Sequence, residues 1–171
     1  MNKNIYNNVV GNRVLDNGTV VEDITSITLP NMEHPTSTIN GNGQVMDLEY
    51  PNQYHFNAMT LSISHNYGKN CEALKKPGVH NIEVRIAREK YDTVKTNMGH
   101  EGMKVRCKVM HASSQSGTIE NGNPVGMTEN FSVIRYEAEV NGKIVDLVDA
   151  GTGEIIIAGK KVSDNIESLL S

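Results

Sequence analysis

The chain of 171 residues has the size of one domain, and its 37% hydrophobic content, with two Phe and no Trp, predicts a modest aliphatic core that oligomerisation would help to stabilise. A net charge of −4 and a pI near 5.8 argue against a nucleic-acid-binding surface, because such surfaces usually carry a basic patch. The sequence shows no apolar run typical of a secretory signal or a membrane helix, which predicts synthesis in a cytoplasm.

A polar, Asn-rich leader, residues 1–12, opens a single predicted domain that spans residues 1–171. The first β-pattern follows it in the segment VVEDITSITLP, which is rich in β-branched residues and ends at Leu29, before Pro30. We expect a strand in this segment. A long polar stretch follows this strand.

Residues 30–57 form a long polar stretch of a kind that is uncommon inside a compact domain. Structureless loops beyond about 12 to 15 residues are uncommon inside a domain, and this one has too few apolar side chains to order itself. It is therefore either disordered or ordered by a neighbour. We predict an extended hairpin arm that packs on a neighbouring subunit. The residues expected to make that contact are Ile39, Val45, Leu48, Tyr50 and Tyr54.

Three later segments alternate apolar and polar residues, which predicts strands with one buried face. They are centred on Leu61, Val84 and Val105. Between the first two, the segment NCEALKK predicts a short helix that Asn70 can cap and that Pro77 and Gly78 end. Leu74 in that helix is expected to be buried against the sheet.

A second polar stretch, residues 111–130, has only Ile119 and Val125 as aliphatic residues, and the same argument predicts a long polar loop. Beyond the next strands, the tail contains the β-branched run EIIIAGKKV. The last segment, VSDNIESLLS, has apolar residues at helical spacing and predicts a second short helix.

The best-defined hairpin is FSVIRYEAEV-NG-KIVDLVD, because Asn-Gly suits a two-residue type I′ turn. If Val140 pairs with Lys143, Ala138 faces Val145 and Tyr136 faces Leu147 on an apolar side. On the other side Glu139 faces Ile144, Glu137 faces Asp146 and Arg135 faces Val148. The opposed Glu137 and Asp146 should repel, so this register predicts an acidic face in contact with water.

The search for chemical motifs is negative. The six His residues form no HExxH pattern, Cys71 and Cys107 lack a CxxC partner, and no GxSxG, Walker or GxGxxG motif is present. Glu137, Glu139 and Asp146 could be read as a glycosidase pair or a calcium site, but neighbouring acids on a hairpin more often form a solvated surface. We therefore predict no enzyme, no catalytic residue, no cofactor and no metal.

The order of these parts resembles the major tail tube protein of contractile (myovirus-type) phage tails and of R-type bacteriocins. The likeness spans roughly residues 13–170. The segments that carry it are ITSITLP, INGNGQVMDLEYPNQYHF, MTLSISHNYG, NCEALKK, KVRCKVMHASSQSG and IRYEAEVNGKIVDLVDAGTGEIIIAGKKV.

The resemblance implies a mainly β fold, a small antiparallel β-sandwich or half-barrel with one short flanking α-helix and long extended hairpin arms. It implies assembly into hexameric rings whose strands form a continuous lumen barrel, with rings stacked through the arms and the leader. The function implied is mechanical: the rigid inner tube of a contractile tail or of a phage-tail-like bacteriocin, driven through the target cell envelope when the sheath contracts.

The partners implied by the resemblance are further copies of the chain, the tail sheath protein outside, baseplate and tail-terminator proteins at the tube ends, and a tape-measure protein in the lumen during assembly. DNA would at most pass through without specific binding, and no membrane anchor is expected. The protein would be part of a virion tail or a released particle. Within such a tube, Glu137, Glu139 and Asp146 are predicted to line the lumen, the alternative being the outer surface under the sheath.

A different class of function fits some of the same features. A small β-sandwich that binds a ligand or carbohydrate would use its long loops for contacts and would be expected to show aromatic platforms. Only Tyr50, Tyr54 and Phe56 cluster in the sequence, and Trp is absent. Tubes or hexameric rings of the purified chain would indicate the first function, and monomers with ligand affinity the second.

Overall fold

Antiparallel β-sheet dominates the protein. A computed structural model describes residues 4–171, with the side chain of Asn7 left aside, and this part of the chain confirms the predicted mainly β class. Its strands are β1 Asn4–Asp16, β2 Thr19–Val21, β3 Ile24–Thr28, β4 Thr36–Ile39, β5 Leu48–Pro51, β6 Thr60–His65, β7 Val79–Asp92, β8 Asn97–Gln115, β9 Met127–Val140, β10 Lys143–Asp149, β11 Ile155–Ile157 and β12 Lys160–Lys161. The helices are a 3₁₀ helix, Cys71–Lys75, and α1, Asp164–Leu170.

The main sheet has the strand order β12-β11-β10-β9-β8-β7-β1-β2. Strand β9 has a second neighbour on one edge, because its first half pairs with β6 and its second half with β10. Strand β3 joins through β6. The described sheet does not close into a barrel within the subunit.

One hydrophobic cluster fills the space between the two parts of the sheet. It explains why apolar and polar residues alternate along the strands. Its fully buried members come from strands that are not hydrogen-bonded neighbours, such as Leu61 of β6 and Val84 of β7. Phe131 of β9 is the largest of its completely buried side chains. Apolar residues therefore face inward from both parts of the folded-over sheet, and the polar alternates face outward.

The predicted helix before β7 is a 3₁₀ helix, and Leu74 on it is 0% exposed within the core cluster. Asn70 precedes it but does not cap it with its side chain, so that part of the prediction is wrong. Its backbone is left-handed, with φ 68°, and its side-chain amide donates to the backbone oxygen of Val20 at 2.7 Å. Asn70 therefore ties the helix to β2.

A buried ion pair fixes the end of β1 to the start of β7. The His80 Nδ1 atom lies 3.0 Å from both carboxylate oxygens of Asp16, and its Nε2 atom lies 2.7 Å from the backbone oxygen of Lys76. Both ring nitrogens of His80 therefore have an oxygen partner inside the domain. The pair satisfies two polar groups that the core would otherwise leave unpaired.

The arm, residues 30–57, contains a hairpin of its own, in which β4 and β5 form a separate two-stranded sheet. Both of its strands are exposed along their whole length. Only the base of the arm packs on the body, where Met32 and Phe56 contact the core cluster. The hairpin thus projects from the domain without support from it.

The second polar stretch is shorter than predicted. Strand β8 continues through Gln115 and β9 begins at Met127, so the part without regular structure is residues 116–126. At its base Gly117 lies against the backbone of Gly126, leaving no room for a side chain. Residues 4–12 of the predicted leader are also strand, the first part of β1, and residues 1–3 lie outside the described part of the chain.

Candidate functional site

The outward face of the sheet that bears β1 and β7–β10 carries the largest network of ion pairs among the described residues. We call it the charged face. Residues opposed in neighbouring strands point to the same side, so the register identifies its members. They are Arg13, Glu83, Arg85, Glu89, Lys104, Arg106, Lys108, Arg135, Glu137, Glu139 and Asp149.

The predicted register of the β9–β10 hairpin holds for its first two pairs and then fails. Lys143 faces Val140 and Ile144 faces Glu139, as predicted from the turn. A bulge at Val145 shifts all later pairs by one residue, a common effect of an extra residue in one strand.

After the bulge, Asp146 faces Ala138, Leu147 faces Glu137, Val148 faces Tyr136 and Asp149 faces Arg135. Asp146 therefore lies on the Ala138 side of the sheet, away from Glu137 and Glu139. The predicted opposition of Glu137 and Asp146 is wrong, and so is the repulsion inferred from it.

The prediction of an acidic, solvated face is also wrong, because strand β8 lies on the other side of β9. Lys104 faces Glu139 and Arg106 faces Glu137 across that strand pair. Arg106 Nη1 lies 2.6 Å from a Glu137 oxygen and 2.8 Å from a Glu139 oxygen, and its Nε is 3.4 Å from Glu83. Glu137 is only 8% exposed. The charged face holds six basic side chains and five carboxylates, so it is not acidic.

Hydrogen bonds within this network shift the pKa values of Arg106 and Glu83. Hydrogen bonds to Glu137 and Glu139 raise the pKa of Arg106 above its usual range. A hydrogen bond from Arg85, assisted by Arg106, lowers the pKa of Glu83. Both shifts favour the charged forms of Arg106 and Glu83.

Arg106 is the central residue that sequence reasoning did not single out. A signal was present, because KVRCKV places Lys104, Arg106 and Lys108 on the polar side of a predicted strand. The sequence does not show that this strand, β8, pairs with β9, the strand that carries Glu137. This is a contact between segments about thirty residues apart, which periodicity does not reveal.

The residues predicted to make arm contacts are presented to solvent. Val45 is fully exposed at the tip, and Ile39 and Leu48 face each other across β4 and β5 with large exposed fractions. Tyr50 and Tyr54 are exposed as well, whereas Phe56 packs on His34 with ring centroids 4.4 Å apart. Tyr50, Tyr54 and Phe56 thus do not share one open aromatic platform.

A second projecting element was missed from the sequence. Strands β7 and β8 continue as a long hairpin to the turn at residues 93–96, and residues 4–6 of β1 pair along its end. Exposed apolar side chains mark it, among them Val9, Val94 and Met98. At its base the Arg88 guanidinium and the Asn141 amide both bind the carboxylate of Glu101.

A buried polar cluster lies inside the domain beneath the 3₁₀ helix. The carboxylate of Glu129 is 0% exposed, accepts a hydrogen bond from His111 at 2.7 Å and another from Ser114, and lies 3.6 Å from the Lys75 ammonium. His65 points its Nε2 at the same carboxylate from 3.6 Å. The backbone N–H of Tyr67 donates to Nδ1 of His65 at 3.2 Å.

This cluster is a structural element of the core. Burial raises the pKa of Glu129, but the hydrogen bonds from Ser114 and His111 and the charge of Lys75 outweigh burial and hold the pKa below its usual value. Among residues 4–171, no group of three or more His, Cys, Asp or Glu side chains is arranged to hold a metal ion.

We expect Glu129→Gln to lower the free energy of unfolding by about 3 kcal/mol at pH 7, because it leaves buried donors and Lys75 without their charge partner. A carboxyl whose folded-state pKa is lowered contributes stability above its unfolded pKa of about 4.3, and this contribution is lost as pH falls through the folded value. The difference between parent and variant should therefore shrink in acid. Urea unfolding across a pH series measures it, with the exposed Glu72→Gln as control. A pH-independent difference would contradict the assignment.

None of the described helices is long and apolar enough to cross a membrane.

Comparisons with known proteins give one family and a set of structural neighbours. The profile of the family described as phage tail tube protein FII matches residues 9–169. No curated protein matches the sequence significantly.

Among solved structures, one similar chain is from the sheath/tube terminator of an extracellular contractile injection system, PVC, in the extended state. The TM-score is 0.53 at 10% identity, covering 77% of this chain and 95% of the other. Another is from the PVC sheath–tube complex in the extended state, with a TM-score of 0.53 at 10% identity, covering 75% and 88%. At this identity the likeness concerns the fold.

Proposed function

Because the chain belongs to the phage tail tube protein FII family, a family of structural proteins of the tail tube, we propose that it polymerises as stacked hexameric rings into the rigid inner tube of a contractile phage tail or phage-tail-like bacteriocin. The observation that carries this proposal is the family match over nearly the whole chain. In this role the protein forms the conduit that is driven through a target cell envelope when the surrounding sheath contracts.

An open strand edge supports ring formation. Strand β2 pairs only with Val14–Asp16 of β1, so along residues 4–12 the outer edge of β1 has no partner strand among the described residues. Exposed edges of this length invite pairing with another chain. In a ring each subunit would cover such an edge with a different surface of its neighbour, and this head-to-tail contact closes by rotation. A continuous barrel around a lumen would result.

The arm supports contact between subunits. Its tip carries largely exposed apolar side chains, of which Val45 and Met46 are the most exposed in the arm. Burying such side chains on a neighbour would contribute about 1.5 to 3 kcal/mol for each one that becomes fully buried. We propose that Ile39, Val45, Leu48, Tyr50 and Tyr54 make this contact. Residues 1–12 are proposed to take part in ring stacking as well.

We further propose that the charged face lines the bore, with Glu137 and Glu139 in its wall. Its polar character and its position opposite the core support this orientation. The bulge at Val145 turns Asp146 to the other side of the sheet, so the register no longer supports a lumen position for Asp146. The alternative, a charged face beneath the sheath, is distinguished by the experiment below.

The proposed partners follow from the tube role. A sheath protein would surround the tube, baseplate and terminator proteins would bind its ends, and a tape-measure protein would occupy the bore during assembly. The solved neighbours, a sheath/tube terminator and a sheath–tube complex, support the sheath and the terminator as partners. DNA would at most pass through. We propose synthesis in the bacterial cytoplasm and residence in a virion tail or a released particle.

Electron microscopy of the purified chain tests the proposal. We expect stacked six-fold rings or single hexameric rings, and a reconstruction with β1 of one subunit beside another subunit and the charged face toward the axis. A chain that stays monomeric at all concentrations and salt conditions would contradict the tube role. Rings with the charged face outward would retain that role and reverse the lumen assignment.

A further inference from the structure

Three basic side chains stand in one row across the charged face. Arg13 of β1 is directly opposite Arg85 of β7, and Arg85 is directly opposite Lys104 of β8. Neighbouring strands lie about 4.8 Å apart, so the row extends about 10 Å across three strands. Like charges in directly opposed positions destabilise a sheet. We therefore expect the row to lower the stability of the subunit.

The nearby carboxylates in the described part of the chain neutralise only Arg85 of this row. Glu83 binds Arg85 but also lies 3.4 Å from Arg106, and Glu139 binds Arg106. Within residues 4–171, Arg13 and Lys104 have no ion-pair partner. Arg13 and Lys104 are thus basic side chains without an ionic partner among the described residues at this end of the face, while Arg106 binds Glu137 and Glu139.

We propose that this row, Arg13, Arg85 and Lys104, docks an extended acidic segment of another polypeptide. Two carboxylates at positions i and i+2 of an extended chain lie about 6.8 Å apart, which fits within the row. The groups beside the row distinguish a polypeptide from a nucleic acid. Glu139 and Asn141 border a shallow concavity next to Lys104.

Those neighbours favour a ligand that both donates and accepts hydrogen bonds. The backbone N–H groups of a polypeptide can donate to a carboxylate such as Glu139, whereas a phosphodiester backbone has only acceptors and is repelled by it. A nucleic-acid surface would need further unpaired basic residues along a continuous path. The inference concerns the subunit surface and does not depend on ring assembly or on which side of the tube this face occupies.

The test measures fluorescence anisotropy of a labelled peptide of alternating Glu and Ser with the full-length protein at low ionic strength. The double variant Arg13→Gln/Lys104→Gln should bind about tenfold more weakly, since each exposed ion pair contributes up to about 1 kcal/mol. The matched control, Lys69→Gln/Lys160→Gln, removes the same charge from exposed lysines elsewhere and should bind within about twofold of the parent. A peptide with Gln in place of Glu should bind only weakly.

Three results would overturn the proposal: equal losses in the two double variants, equal binding of the Gln and Glu peptides, or a thymidine oligonucleotide of equal length that binds more tightly than the peptide through the same two residues. Thermal unfolding separates binding from folding. Removing like charges should leave the melting temperature of the row variant unchanged or raise it. If the double variant is destabilised, the single variant Lys104→Gln provides the same comparison with a smaller loss.

Discussion

Replacing Leu74 by Asp is expected to remove most of the stability of the domain. Leu74 is fully buried between the 3₁₀ helix and the sheet, where an aspartate would have neither water nor a basic partner. Truncating a buried Leu costs about 2 to 5 kcal/mol, and an unpaired buried charge adds to this cost. The total of several kcal/mol is comparable with the whole free energy of unfolding of a typical domain.

Urea and thermal unfolding of Leu74→Asp measure this effect. Leu74→Met is the matched control, because it keeps the volume and apolar character of the side chain and should cost less than about 1.5 kcal/mol. If Leu74→Asp unfolded like the parent, the helix would not be packed as described.

Deleting residues 38–50 is expected to abolish polymerisation and leave a folded monomer. The deletion removes the tip of the arm, which contributes nothing to the core cluster. It also joins Ser37 to Pro51, which the β4–β5 pairing holds near each other, and a short Gly linker can close the gap. Stability should change little, whereas the proposed contact with the neighbouring subunit is lost.

Electron microscopy and sedimentation detect the loss of tubes, and circular dichroism confirms the fold. The milder variant Val45→Ser/Met46→Ser should weaken assembly without the deletion, since both side chains are exposed in the subunit. Asn40→Ala, at an exposed polar position of the same arm, is the control. Normal tubes from the deletion variant would show that the arm does not join subunits.

The sequence was sufficient for the parts of the fold that depend on local pattern. Alternation around Leu61, Val84 and Val105 identified three strands, and Asn141-Gly142 identified the hairpin turn, because side-chain period and turn geometry are properties of short segments. The lengths of β7 and β8 could not be read in this way. Their outer parts are held by pairing with each other and with β1, and the residues there are not alternately apolar and polar.

The charged face shows a similar limit to what the sequence can predict. The acids of β9 were found, but their ionic partner Arg106 lies in a strand that only the folded sheet brings alongside. The bulge at Val145 adds a single unpaired residue, and nothing in KIVDLVD distinguishes a bulged strand from a regular one. One inserted position was enough to move Asp146 to the opposite side, since side chains alternate with a period of two.

The double pairing of β9 has a consequence for how the subunit opens. Its backbone is flanked by β8 on one edge, and by β6 and then β10 on the other, along nearly its whole length. Amide protons in such a strand exchange with solvent only when the whole domain unfolds, whereas those of β4, β5 and β12 can exchange through local fluctuations. The contacts that bring β6 to β9 span more than sixty residues of chain and have to form late in folding, after a costly loop closure. Strand β9 is therefore where the slowest hydrogen exchange should be found.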